Sequence, residues 1–417
     1  MPDNRAHTQD IQRILGELAA TRPAREALYT QFHRHPELSM QEHATAERII
    51  HELSLIDAAT VTPISPGTTG IVATLRNGDG PTVAMRADYD GLPVKEDSGK
   101  DYASTATQVN RAGEEVPVAH ACGHDVHITA LLGAVQALAA HPEAWSGTFH
   151  AVFQPGEETG EGARAMVDGG VDKLLDPRPD VYLGQHVLGT IPGGCVGTIA
   201  GPVFSTAESM TVTIFGRGGH GSMPQLAVDP VVVASSAVMK LQTLVSRSLA
   251  PHDFGVVTVG SIQAGSAPNI IPDTATLMIN VRAFSPEVRD TLHQGIVRII
   301  TAECEGAACP TPPEFEFYSQ FPITDNDAAA TATVRAAFDH YFGDDSVDMA
   351  RQSASEDFSI IPDSLGCPYV YWGLGGFADA AAAPGNHHPG FAPDMRPTLD
   401  RGVEAIVVAA CAWLGRG

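Results

Sequence analysis

The stretch HACGHDVH at residues 120–127 brings three imidazoles, a thiol and a carboxylate into eight consecutive positions. Residues i and i+2 point apart in a helix and converge only where the backbone is extended or tightly turned. Cys122 and His124 are therefore expected on a turn, with Gly123 allowing the excursion and Asp125 capping the helix that follows. A thiolate paired with an imidazole suits zinc, and manganese, cobalt or nickel if carboxylates join them. The competing reading is a helix cap with exposed histidines.

Three further stretches have compatible chemistry. In VFQPGEETGEGA an apolar run meets Pro155-Gly156 and then two adjacent carboxylates, Glu157 and Glu158. Adjacent glutamates project differently, so one can bind a metal while the other faces a water; otherwise both are solvated first-turn residues favouring a helix dipole. The run VYLGQHV ends in His186, and GNHHPGF contains His387 and His388. Each is unremarkable alone, but three consecutive strand ends with metal-compatible residues are poorly explained by chance. In RADYDGLP, Asp88 can orient a metal-bound histidine or simply pair with Arg86. FHRHPELSMQEHAT, with His33, His35 and Glu37, reads as structural.

The elements that must position these residues follow from pattern. GIVATL at 70–75 and TVAMRAD at 82–88 read as strands, ITALLGAVQALAAH as a helix, TFHAVFQ at 148–154 as a strand, GARAMVDGG as a helix and VYLGQHV as a strand. That alternation predicts an α/β layer fold, in which ligands gather at the C-terminal ends of strands. Between residues 203 and 319 the order becomes strand, helix (229–247), strand, strand, helix (286–304), strand, the βαββαβ ferredoxin-like motif. AAATATVRAAFDHYF, PYVYWGL and RGVEAIVVAACAWL then resume the first pattern. The fold class expected is α/β, a catalytic domain of residues 1–202 and 320–417 with a central sheet flanked by helices, interrupted by an inserted domain at 203–319.

Bulk properties narrow the function. At 417 residues two domains are the default. With 49 acidic and 25 basic residues the net charge is −24, which argues against nucleic-acid or anionic-membrane partners. The first residues have no apolar signal region, and no window approaches ~18 apolar residues, so a cytoplasmic location is expected. Six scattered cysteines suit a reduced compartment and leave Cys122 available as a ligand.

With these motifs in order, the chain resembles the metal-dependent amidohydrolases that include hippurate hydrolase, auxin-amino acid conjugate hydrolases and N-acyl-amino acid aminoacylases, with carboxypeptidase G and dipeptidases as more distant relatives. HRHPELSMQEHAT, RADYDGLPVKE, HACGHDVH, FQPGEETGEGARAM, GQHV, GGHGSMP, NIIPDTATLMINVRAF, SEDFS and HHPGF carry the resemblance over nearly the whole length. It implies metal ligands at Cys122, His124, Glu158, His186 and His387, with Glu157 as general base. It also implies one or two divalent ions, zinc first and manganese or cobalt as alternatives, and a homodimer formed through the inserted domain, which closes as a lid. His220 matches a histidine that reaches the partner subunit's active site. Asn269 and Arg282 resemble lid residues that contact substrate. The dipeptidase branch carries His-x-Asp where this chain has Arg86-Ala87-Asp88, a departure that favours the aminoacylase branch. The implied activity is hydrolysis of N-acyl-L-amino acids, an amidohydrolase of the EC 3.5.1 type. A dipeptidase or carboxypeptidase, and a non-catalytic metal-dependent binding protein, are the competing readings.

Overall fold

A computed structural model of the chain describes residues 4–64 and 66–416. Its chain divides into two compact units, one of residues up to 203 with 325–351 and 357 onward, the other of residues 204–324 with 352–356.

The first unit is built on an eight-stranded mixed sheet. Its spatial order is Ala59–Pro63, Ile71–Asn77, Gly147–Gln154, Thr82–Asp88, Val181–Pro192, Tyr369–Phe377, Val196–Thr198 and Ser346–Asp348. Strands Thr82–Asp88, Gly147–Gln154 and Tyr369–Phe377 are buried at every residue. Strands with both faces covered read as largely apolar runs, which is how YVYWGLGGF appears in sequence, whereas TVAMRAD also buries Arg86 and Asp88. Helices His124–Ala140 and Met395–Leu414 pack together in the covering layer and are buried around most of their circumference. Such helices lack a polar face because neighbours surround them.

The four strands that matter for the site run parallel. Asp88 lies opposite Gln154, Arg86 opposite Gly184, and His186 opposite Gly373. Their C-terminal ends therefore open on one edge of the sheet; Asp88 and the Glu157–Glu158 pair fall there, while His186 lies within its strand, which runs on to Pro192.

The second unit has strand order Gly255–Ala264, Thr274–Ala283, Thr206–Phe215, Glu314–Phe321, all antiparallel. Helices Pro230–Thr243 and Pro286–Gly306 cover one face, burying Met210, Val212, Leu277, Ile279, Leu241 and Ile296. Both helices begin with proline behind a capping side chain: the Val231 N–H donates to Asp229 Oδ1 at 2.9 Å, and the Val288 N–H to Ser285 Oγ at 3.2 Å. The first helix is shorter than the expected 229–247, because Leu244–Ser248 loosens into a π turn. Residues 352–356, which no sequence pattern attached to this unit, join it through side chains: Ser205 Oγ donates to the Ser353 and Ala354 carbonyls, and Arg282 to Ser353 O and Ser355 Oγ.

Candidate metal centre

Cys122 lies on the turn that the spacing predicts, while His124 is already the first residue of the helix that follows. Gly123 has φ of +81°, and a Cβ there would lie 2.3 Å from Val187 Cγ1, so glycine is required both for the left-handed backbone and for close approach. The expected helix cap differs. Gly123 occupies the N-cap of the helix, and Asp125, one residue inside it, turns to His33 with Oδ2 to Nδ1 at 2.6 Å. Its other oxygen, Oδ1, still accepts the Val126 N–H of the first turn at 3.0 Å, so Asp125 satisfies a helix-end donor from inside the helix and not from the N-cap position.

Around this turn, five side chains form two clusters sharing one sulfur. Cys122, His124 and His186 make one, and Cys122, Glu158 and His387 the other; within each, the potential ligand atoms lie within 4.8 Å of one another. Cys122 Sγ is 3.5 Å from His186 Nε2, and His387 Nε2 is 3.2 Å from Glu158 Oε2. His388 faces elsewhere, its Nδ1 accepting from the Gly390 N–H at 3.0 Å. Glu157 is buried, with Oε2 3.9 Å from His124 Nε2.

The clusters fit a cation. His124 Nε2 and Glu158 Oε1 are buried with no hydrogen-bond partner, and they lie 3.7 Å apart. Buried polar atoms left unpaired cost about 1–3 kcal/mol each, so two aimed at one point mark a place for an ion. Electrostatics agree. Burial disfavours a charged His124, yet Asp88, Asp90 and Cys122 outweigh it and hold its pKa well above the ordinary imidazole value. His387 is pushed up to about 10 by its contacts with Cys122 and Glu158. His186 goes the other way, its pKa driven well down by burial and by His127 beside it, which favours the neutral ring that a metal needs.

The carboxylate that orients His124 is Asp90. The His124 Nδ1–H donates to Asp90 Oδ1 at 3.1 Å, leaving Nε2 for the cluster, while Asp90 Oδ2 accepts from the Glu158 N–H at 3.0 Å. One carboxylate thus orients the His124 ring and holds the backbone of Glu158. Asp88, the residue expected in this role, lies 3.7 Å from His124 Nε2 and bonds instead to Arg86 and His127. Two other anchors had no sequence signal. Glu42 Oε1 accepts the Gly156 N–H at 2.8 Å, and Asn386 Nδ2 donates to Val187 O at 3.3 Å and Cys122 O at 3.4 Å.

In the second unit, His220 pairs with Ile270 across a short ladder, and the Gly221 N–H donates to Asn269 O at 2.8 Å, so His220 and Asn269 are neighbours. Arg282 lies on strand Thr274–Ala283, opposite Ala207 and Val256.

His33, read as structural, is a buried clamp. Its Nδ1–H donates to Asp125 and its Nε2–H to Glu96 at 3.0 Å, so the ring is an imidazolium. Burial opposes that charge, but Asp125 and Glu96 raise the pKa to about 9. A folded value above the unfolded ~6.5 gives stability that is complete below about pH 6.5 and lost as pH rises through 9. The linkage is worth about 3 kcal/mol. The melting-temperature gap between the native chain and His33→Gln is expected to be wide at pH 6 and to narrow by pH 9.5; a gap independent of pH would show that His33 is not held charged.

The chain is similar to known proteins over most of its length. The family model described as Peptidase family M20/M25/M40 matches residues 84–410. The chain is 33% identical over 367 residues to N-acetyl-L-cysteine deacetylase of Bacillus subtilis, covering 87% of this chain and 82% of that protein. It is 32% identical over 354 residues to hippurate hydrolase of Campylobacter jejuni, covering 83% and 87%. Among solved structures, the Bacillus subtilis YXEP protein, described as a dinuclear metal binding peptidase from the M20 family, superposes with a TM-score of 0.78 at 26% identity, covering 94% of this chain and 98% of that one. No helix among the described residues is long and apolar enough to cross a membrane.

Proposed function

The chain belongs to peptidase family M20/M25/M40 and is a metal-dependent amidohydrolase, and from that premise we propose that it cleaves the amide bond of N-acyl-L-amino acids, releasing a carboxylic acid and an amino acid. The observation that carries this reading is a buried carboxylate, Glu157, beside two ligand clusters that share Cys122. A non-catalytic binder has no use for an acid–base group at that place. Zinc is the ion we propose, given the thiol and three imidazoles, with manganese and cobalt as the alternatives.

Divalent ions held by Cys122, His124, Glu158, His186 and His387 would polarise an acyl oxygen and lower the pKa of a water from about 15.7 toward about 7. Glu157 takes the proton of the attacking water and returns it to the departing amide nitrogen, acting first as base and then as acid. His220 donates a hydrogen bond to the acyl oxygen as negative charge develops there. Its tautomer supports that role: Nδ1 accepts from the Ser222 N–H at 3.1 Å and from Ser222 Oγ at 2.8 Å, so the proton resides on Nε2. Asn269 and Arg282 hold the α-carboxylate of the amino-acid half, for which the guanidinium fork is suited. Asp88 supports the site from behind.

The test is amino-acid release from N-acetyl, N-benzoyl and indole-acetyl amino acids and from dipeptides, with chelated protein and after addition of zinc, manganese or cobalt. Release from acyl amino acids that returns with one metal supports the reading. Cleavage of dipeptides alone would replace it with a peptidase.

A homodimer through the inserted unit is part of the same reading. Among the described residues, strand Gly255–Ala264 is an edge strand paired to Thr274–Ala283 alone. Ile262 on it, and Val232 and Met239 on helix Pro230–Thr243, are 50%, 64% and 72% exposed. An exposed strand edge flanked by apolar side chains is a template for pairing with a second copy. Met239→Asp combined with Ile262→Asp should convert the dimer to a monomer in sedimentation velocity, with melting of the first unit unchanged; a native chain that sediments as a monomer would refute the assembly.

A further inference from the structure

We propose that His127, the last residue of HACGHDVH, is a positioning residue that holds the ligand His186 in place through the backbone of Val187. The inference rests on the ligand clusters assigned above and adds a residue that belongs to neither.

The sheet has a gap just before His186. Strand Val181–Pro192 pairs with Thr82–Asp88 only from Val181 to Gly184. Beyond Gly184 the neighbouring strand continues against Gly147–Gln154 alone, so the N–H groups on that edge of Val181–Pro192 lose their sheet partner just before His186. A buried N–H must find another acceptor. Val187 is fully buried, and its N–H donates to His127 Nε2 at 2.9 Å. An imidazole from helix His124–Ala140 thus fills the place of the missing strand.

That bond determines the protonation of His127. An N–H can only donate, so Nε2 carries no proton, and the ring proton resides on Nδ1. There it donates to Asp88 Oδ1 at 2.5 Å, while Asp88 Oδ2 accepts from Arg86 at 2.6 Å. Arg86 is itself held by Gln154 and Asp357. Both nitrogens of His127 are spent, so the residue is not a ligand, although it lies near Asp88 and His124 in a cluster that could otherwise hold a metal.

The other end of the chain reaches the metal centre. The Val187 carbonyl accepts from the His186 Nδ1–H at 2.9 Å, which turns Nε2 of His186 toward Cys122. The N–H of Val187 is therefore tied to His127 and its C=O to His186. A shift of this peptide would turn the His186 ring away from its cluster. Supporting partners of this kind are typically worth about 10–100-fold in metal affinity.

The test is metal affinity by chelator competition with zinc, read without substrate and in backgrounds that isolate each cluster. In His387→Ala, which leaves Cys122, His124 and His186, adding His127→Ala should weaken zinc about 10–100-fold. In His186→Ala, which leaves the other cluster, the same change should do nothing. His127→Gln, whose side-chain oxygen can accept from the Val187 N–H, should recover most of the loss. Asp88→Asn should mimic His127→Ala: its oxygen must face Arg86 and its NH2 must face Nδ1, which moves the ring proton to Nε2 and against the Val187 N–H. Equal weakening in both backgrounds with a lower melting temperature of the metal-free protein would mean a merely structural role and overturn the proposal. So would unchanged affinity in His127→Ala or Asp88→Asn, or no recovery in His127→Gln. Because no substrate enters, failure of the hydrolase reading would leave this result standing, and the reverse also holds.

Discussion

Replacing Glu157 by Gln is expected to lower kcat by about 10²–10⁴-fold, the range that a positioned general acid–base contributes, with KM and metal stoichiometry little changed. The separation of these effects follows from how the loop is held. Glu42 takes the N–H of Gly156 and Asp90 the N–H of Glu158, so the backbone is held on both sides of Glu157. The amide preserves the shape of the carboxylate while removing its charge and its ability to take a proton. Glu157 lies beside the His124 ligand atom but outside the two clusters that share Cys122. The check is steady-state hydrolysis of a responsive acyl amino acid alongside metal analysis of the same sample. A variant that keeps most of its turnover would remove Glu157 from the mechanism; one that loses metal as well would make it a ligand.

Why some of this was legible in sequence and some was not has a physical basis. Strands such as TVAMRAD and VYLGQHV carry their burial in composition, and βαββαβ is an order of elements, so both can be read locally. The residues at the ends of those strands could be noticed because ligands gather there. What could not be read were the groups that position them. Glu42 acts on a peptide N–H 114 residues away, Asn386 on the carbonyl of Val187, and Asp90 joins His124 to the Glu158 backbone. A backbone partner has no side-chain identity, so nothing in its own sequence announces the bond. Asp90 shows how narrow the margin is. It sits two residues from Asp88 in the same RADYD run, and pattern alone cannot say which of the two turns toward His124. Asp125 shows the reverse: its capping of the Val126 N–H could be read from residue type, but its second bond, to the buried imidazolium of His33 92 positions earlier, could not.

Substitution of Cys122 by Ala should be more damaging than loss of His186 or His387, because its sulfur is common to the two clusters built on it while each of those histidines belongs to one. His387→Ala leaves Cys122, His124 and His186 together and should retain one tightly held metal. Cys122→Ala leaves two ligands in each cluster, fewer than the three protein ligands that catalytic zinc sites usually supply. Both sites are expected to weaken together, and hydrolysis to fall by at least about 10³-fold, since electrostatic stabilisation of the transition state alone is worth about 10²–10³ and activation of water is lost with it. Cys122→Ser should be nearly as poor, because a hydroxyl does not ionise at neutral pH as a metal-bound thiol does. The side chain is almost fully buried and Gly123 keeps the turn independent of it, so the variant should fold, with circular dichroism unchanged. Zinc titration of the three chelated variants distinguishes the cases: one equivalent for His387→Ala and none held tightly for either Cys122 variant indicates a shared sulfur, whereas one equivalent in all three would place Cys122 in a single site.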